Sequence, residues 1–86
     1  MDLEGGVAIV TGSSSGVGAA TARQLAERGC NVVINYASNR DGAEATRAAC
    51  AAYGVETEVV QADVANDADC RRLAGIADAR WGRIDA

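Results

Sequence analysis

Thr11-Gly12-Ser13-Ser14-Ser15-Gly16-Val17-Gly18 joins two stretches of different periodicity. Before it, Val7-Ala8-Ile9-Val10 is an unbroken apolar run. Such a run reads as a strand buried on both faces, as parallel strands are. After it, Gly18, Ala22, Leu25 and Gly29 recur at helical spacing. This predicts a helix from about Gly16 to Arg28, packed along that stripe and closed by Gly29 as its C-cap. A glycine-rich turn between a strand and a helix suits a bound phosphate. The glycines let the backbone turn sharply and come close to a ligand. The helix start offers unpaired N–H groups and the positive end of the dipole, a site for a pyrophosphate. The hydroxyls of Ser13, Ser14 and Ser15 can add hydrogen bonds.

Other motifs compete for the same residues. The spacing is G-x-x-x-G-x-G, not the more common G-x-G-x-x-G. The run Gly12-Ser13-Ser14-Ser15-Gly16 is also a literal G-x-S-x-G, the nucleophile elbow of an α/β-hydrolase. That elbow needs a His, and the chain has none. It would also follow the first strand with no strands built before it. A P-loop needs a Lys after its glycine, and there is no Lys anywhere. A glycine turn without a ligand is the remaining alternative.

Outward from this turn, strand and helix alternate. Val32-Val33-Ile34 is a second short strand. Asp41 is a candidate cap for a second helix that runs to about Tyr53 and closes at Gly54. Val55 to Ala62 reads as a third strand, its start partly exposed because Glu56 and Glu58 alternate with Val55, Thr57 and Val59. A third helix is predicted from Asn66 or Asp67, with Cys70, Leu73, Ala74, Ala77 and Trp81 on its apolar face and Gly82 at its end. Ile84-Asp85-Ala86 looks like the opening of a fourth strand. The βαβαβα order with short connections calls for an α/β fold with a parallel sheet and right-handed crossovers. It is the first half of a doubly wound, Rossmann-type sheet, with residues 1–86 as an N-terminal dinucleotide-binding half-domain.

Composition narrows the function. The chain has 86 residues, 49% hydrophobic and rich in Ala, with no Phe and a net charge of −4. The small apolar side chains suit tight helix–sheet packing. The basic residues are scattered Arg, so a nucleic-acid surface is not expected. No run approaches the ~18 apolar residues of a membrane span, and the acidic start Met1-Asp2-Leu3-Glu4 lacks signal-peptide order, so a cytoplasmic location is expected. The cysteines number three, Cys30, Cys50 and Cys70, and no two stand at metal-ligand spacing. They read as free, small hydrophobes, with no metal site. Without His or Lys, the commonest general base and the Schiff-base amine are both missing.

Thr11-Gly12-x-x-x-Gly16-x-Gly18 resembles the cofactor fingerprint of the short-chain dehydrogenases/reductases. Asp63-Val64, just after the third strand, resembles that family's Asp beside the adenine ring. Trp81-Gly82-Arg83-Ile84-Asp85 resembles the segment leading into its fourth strand, where Phe is usual in place of Trp81. The likeness extends to Leu3-Glu4-Gly5, with Gly6 where a basic residue is common. The resemblance implies a nicotinamide dinucleotide, with Gly12, Ser13, Ser14, Ser15, Gly16, Val17, Gly18, Asn35, Tyr36, Ser38, Asp63 and Val64 as cofactor-binding residues. For Asp63 a plain solvated turn is the competing reading; Trp81 reads more simply as core, and Arg71 and Arg72 as a solvated helix face.

The second strand should choose between the two nicotinamide cofactors. An acid at its end would hold the ribose 2′-OH of NAD and repel a 2′-phosphate. Here Ile34-Asn35-Tyr36-Ala37-Ser38-Asn39-Arg40 has no acid before Asp41. Asn35, Tyr36 and Ser38 can donate to a phosphate and Arg40 can add charge, so NADP(H) is expected over NAD(H). The Asn-Tyr-Ala run is similar to NADP(H)-preferring members of the family, although Ser15 stands where some of them carry Arg. The family's catalytic Tyr, Lys, Ser and Asn cannot be placed: Tyr36 and Tyr53 lie in the cofactor half. The resemblance implies an oxidoreductase acting on a small carbonyl/alcohol pair, similar to 3-oxoacyl-carrier-protein reductases, truncated here before its catalytic half. The chain as given is expected not to catalyse hydride transfer, and homo-oligomers are expected only of the complete protein. The alternatives are a non-catalytic nucleotide-binding module and a fragment that folds only with a partner.

Overall fold

The computed structural model of the chain describes residues 4–13 and 16–85. The elements run β1 (Val7–Val10), α1 (Gly16–Glu27), β2 (Asn31–Tyr36), α2 (Arg40–Ala51), β3 (Thr57–Gln61) and α3 (Asp67–Trp81). The strands form one parallel sheet in the order β1-β2-β3. Val7 stands opposite Asn31 and Val10 opposite Ile34, while Val32 stands opposite Thr57 and Tyr36 opposite Gln61.

Alternation along β2 explains why its apolar run is continuous. Val32 and Ile34 pack with Val10, Ala22, Ala26, Ala43 and Cys50 beneath α1 and α2. Val33 packs on the other side, with Val7, Val60, Ala62, Leu73 and Ala77 beneath α3. Helices cover both faces, so each position must be apolar. Full burial of each such side chain is worth about 1.5–3 kcal/mol.

Helix α1 docks through Ala19, Ala22 and Ala26, so of the predicted Gly18–Ala22–Leu25–Gly29 stripe Ala22 alone is fully buried. Glycines have no side chain to bury: Gly18 marks a close backbone approach and Gly29, at φ +86°, the turn into β2. Leu25 is only half-buried, packed at the margin of the core.

Other boundaries shift for reasons that lie in hydrogen bonding. Strand β2 is longer than Val32–Ile34 because its polar ends are bonded to β3 and its flanks. Asn31 Oδ1 accepts from Glu56 N at 2.9 Å, and Ala62 N donates to Tyr36 O at 3.0 Å. The cap of α2 is Asn39, whose Oδ1 accepts from Gly42 N at 3.0 Å, and not Asp41. Asp41 lies within the first turn, where its charge suits the helix dipole. Strand β3 spans only Thr57–Gln61, while Val55 packs at the core margin. At α3 the expected cap and stop are both in place: Asn66 Oδ1 accepts from Asp69 N at 3.2 Å, and Gly82 adopts φ +70°. Trp81 packs beside Leu73 and Ala77, and its Nε1–H donates to Glu56 Oε2 at 2.9 Å.

After α3 the chain returns to the free edge of β1. Asp85 N donates to Val7 O at 2.7 Å, and Val7 N donates to Asp85 Oδ2 at 2.9 Å. Of the predicted fourth-strand opening, Asp85 thus begins to pair with β1, and Ala86 lies outside the described residues. With α1 and α2 on one face and α3 on the other, the winding reverses at β1. In such sheets ligands bind at the carboxyl ends of the strands beside this reversal.

Candidate functional site

The carboxyl end of β1 leads into the glycine turn. Gly12 and Gly16 lie at φ +63° and +60°, a left-handed conformation that side chains resist. A Cβ built at either would meet nothing, so these two glycines are required by conformation. Gly18 is required by space. A Cβ there would overlap the Gly12 carbonyl oxygen and lie 2.8 Å from its carbon. The turn and the first turn of α1 are therefore in backbone contact.

Two predicted ligand residues are engaged inside the protein. Ser13 is 0% exposed; its Oγ donates to Val10 O at 2.7 Å and accepts from Asn35 N at 3.0 Å. Its own N–H donates to Asn35 O at 2.9 Å. Ser13 thus extends the β1–β2 pairing past the end of β1, and its hydroxyl is not directed to a ligand. Asn35 is 2% exposed. Its Oδ1 accepts from Gly12 N at 3.1 Å, and its Nδ2 donates to Ala62 O at 3.1 Å and Val60 O at 3.4 Å. The expected donation from Asn35 to a 2′-phosphate is corrected here: alternation in a β2 that continues to Tyr36 buries this residue.

The other described residues of the prediction lie at the carboxyl end of the same sheet. Thr11, Gly12, Gly16 and Val17 are exposed, Val17 by 85%. Ser14 and Ser15 lie outside the described residues. Tyr36 is half-buried against the core under α1 and α2, and Ser38 is exposed beyond it. Gln61 Nε2 donates to Ala37 O at 3.0 Å, holding the β2–α2 loop against β3. Asp63 and Val64 are exposed on the loop after β3. There Asp63 Oδ1 accepts from Ala65 N at 3.0 Å, and Asp69 Oδ2 accepts from Asp63 N at 2.8 Å.

The three loops therefore meet at one sheet edge, tied by Asn35 and Gln61. Sequence reading missed Gln61 and the inward role of Asn35. A polar residue inside an apolar strand, bounded by Ile34 and Tyr36, was the available signal. Charge also differs among the helix starts. Helix α2 carries Asp41 in its first turn and α3 carries Asp67 and Asp69, whereas α1 carries no acid there. Among the described helices, α1 is thus the one whose positive dipole end meets no acidic side chain in its own first turn. No group of three or more His, Cys, Asp or Glu suited to a metal occurs among the described residues, and no described helix is long and apolar enough to cross a membrane.

Comparison with known proteins agrees with this geometry. The short chain dehydrogenase family model matches residues 6–86. An uncharacterized oxidoreductase of Methylorubrum extorquens is 48% identical over 83 residues, which are 96% of this chain and 34% of that protein. The 3-oxoacyl-[acyl-carrier-protein] reductase of Staphylococcus epidermidis is 41% identical over 78 residues, 91% of this chain and 32% of the reductase. The solved structure of a mutant short-chain dehydrogenase/reductase from Serratia marcescens superposes with a TM-score of 0.91 at 35% identity, covering 99% of this chain and 35% of that one. The chain spans about a third of the length of the curated relatives it matches. With the Gly12–Gly18 turn at the carboxyl end of β1, a parallel sheet that reverses there, and a family match from Gly6 onward, the chain belongs to the short-chain dehydrogenase/reductase family of oxidoreductases.

Proposed function

We propose that this chain is the dinucleotide-binding half-domain, residues 1–86, of an oxidoreductase that uses NADP(H) in preference to NAD(H). The observation that carries the reading is the backbone cradle at the end of β1. Gly12 and Gly16 turn it, Gly18 brings α1 against it, and α1 starts without an acid. The cradle fits a diphosphate, which needs close backbone approach and N–H donors. The amides of Gly16, Val17 and Gly18 would hold it, and the hydroxyls of Thr11, Ser14 and Ser15 are proposed as further donors to it.

The loop after β3 would take the adenine. There the Asp63 carboxylate would accept from the amino group, and exposed Val64 would offer apolar surface to the ring. At the end of β2, Tyr36, Ser38 and Arg40 are left to meet the ribose 2′ position. No carboxylate stands between Asn35 and Arg40. One placed about 4 Å from a 2′-phosphate would cost NADP(H) about 1–4 kcal/mol, so its lack favours the phosphorylated cofactor. Arg40 is exposed and has no ion pair among the described residues.

When bound, the nicotinamide supplies or accepts the hydride. For the complete protein the proposed substrate is a carbonyl/alcohol pair of the 3-oxoacyl or a similar ketone class. The proton-transferring Tyr and its Lys would come from sequence outside these residues. The 86-residue chain then binds the dinucleotide without turnover, and homo-oligomers and a cytoplasmic location are proposed for the complete protein.

Titration of the chain with NADPH and NADH, followed by thermal unfolding, tests this. A ligand at about 100 times its Kd should stabilise by ~2.7 kcal/mol. A larger rise in Tm with NADPH supports the reading. Equal or larger stabilisation by NADH removes the cofactor preference, and no effect of either removes the binding function from this chain.

A further inference from the structure

Two of the buried polar side chains, Ser13 and Asn35, are left without a ligand role by the reading above. Asn35 is 2% exposed, and every hydrogen bond of its side chain runs to backbone. Its Oδ1 takes the N–H of Gly12 at 3.1 Å, and its Nδ2 gives to Ala62 O at 3.1 Å and Val60 O at 3.4 Å, with Tyr36 O at 3.5 Å. One planar head group thus reaches the glycine turn after β1 and the backbone just before Asp63. The carbonyl of the same Gly12 lies so close to Gly18 that a Cβ there would overlap its oxygen.

We infer that Asn35 is a positioning residue for the dinucleotide. It sets the Gly12 turn and the Ala62–Asp63 segment in one geometry before a ligand arrives. This rests on the dinucleotide reading of the edge. The chemistry of the side chain fits the task closely. A neutral amide offers an acceptor on one side and two donors on the other. Asp keeps the acceptor but loses the donors facing Ala62 and Val60. Leu keeps the volume and loses all of the bonds, and Ser is too short to span them. Left unpaired in a largely dry place, these backbone groups would turn back towards water, which changes the turn itself. Because the diphosphate and adenine ends are common to both cofactors, a positioning role weakens NADPH and NADH alike. A residue that touched the 2′-phosphate would weaken NADPH alone.

The experiment compares the 86-residue chain with Asn35→Ser and Asn35→Leu. Amide hydrogen exchange is read by NMR without ligand, and NADPH and NADH are then titrated. In the unsubstituted chain the Gly12 N–H and the Asn35 side-chain N–H groups should exchange slowly. In the variants Gly12 should exchange about tenfold faster than the change at Val33 accounts for, and both dissociation constants should rise by the same factor, about tenfold. An NADPH-only loss overturns the inference in favour of direct phosphate contact. Unchanged affinities of the folded variants, or Gly12 and Val33 losing protection together, overturn it in favour of a role in stability only. If the unsubstituted chain takes up neither dinucleotide, the dinucleotide reading fails by itself, and the Gly12 exchange still decides whether the clamp exists. If neither variant folds, the unsubstituted chain decides. Asn35 side-chain hydrogens that exchange as fast as those of exposed Gln24 overturn the clamp, and slow ones support it.

Discussion

Glycine is used for two different physical reasons in the Gly12–Gly18 turn, and the two respond differently to one methyl group. At Gly12 the backbone is left-handed and the space beside it is open. Gly12→Ala should therefore cost only the conformational term, about 1–2 kcal/mol. At Gly18 the backbone is ordinary helix, so Ala would gain up to about 1 kcal/mol from propensity alone. The methyl, however, would press on the Gly12 carbonyl, a backbone group with no flexible end to yield. Overpacking of this kind costs about 1–3 kcal/mol, so Gly18→Ala should be a net loss despite the better helix former. Urea unfolding of the two variants checks this; a Gly18→Ala chain as stable as the parent would mean that the turn moves aside freely. The positions of these glycines, and the place of Asp63 and Val64 just after β3, were legible in the sequence because they depend on local spacing. The inward bonding of Ser13 and Asn35 was not. It depends on which backbone groups lie across the sheet, and the spacing within one segment carries no record of that.

The same substitution should have the opposite sign in α3. Gly75 is exposed in the middle of that helix, has no left-handed φ, and a Cβ there would meet nothing. It confers only backbone freedom on the unfolded chain. Gly75→Ala should stabilise by about 0.5–1 kcal/mol, which in a domain this small raises Tm by roughly 2–8 °C. A loss instead would show that α3 bends at Gly75 in a way its Asn66 cap and Gly82 stop do not suggest. At this scale the sequence was most informative. Apolar runs with helices on both sides announce parallel strands, and glycines after helical stripes announce their ends. What it blurred were edges, since Asn39 rather than Asp41 caps α2 and polar Asn31 and Tyr36 extend β2. Caps and strand ends are decided by one hydrogen bond each, which several neighbouring polar residues could supply.

For the whole molecule the open question is how the last residues are held to the first strand, because that contact closes the winding from β1 through α3 and back. Asp85 supplies it with its N–H and its carboxylate, both bonded to Val7, while Arg83 makes a double contact to the carboxylate at 2.9 and 2.8 Å. The hydrogen bond from Arg83 first, and then that from the Val7 N–H, hold the Asp85 carboxyl below its ordinary value of 3.8. A carboxylate with a lowered folded pKa binds fewer protons in the folded than in the unfolded state near that value. Its stabilisation is therefore complete above the ordinary value and is lost as pH falls through the lower folded one. Urea midpoints measured from pH 7 down to about pH 2 should fall at the acid end. Asp85→Asn, which keeps the backbone bond but cannot pair with Arg83 as an anion, should start lower at pH 7 and fall less steeply below the ordinary value. Arg83→Ala should do the same, since it removes the larger of the two causes. If all three chains share one acid limb, the Arg83–Asp85–Val7 contact adds nothing to folding, and the return to β1 is held by the α3 core around Leu73, Ala77 and Trp81 alone.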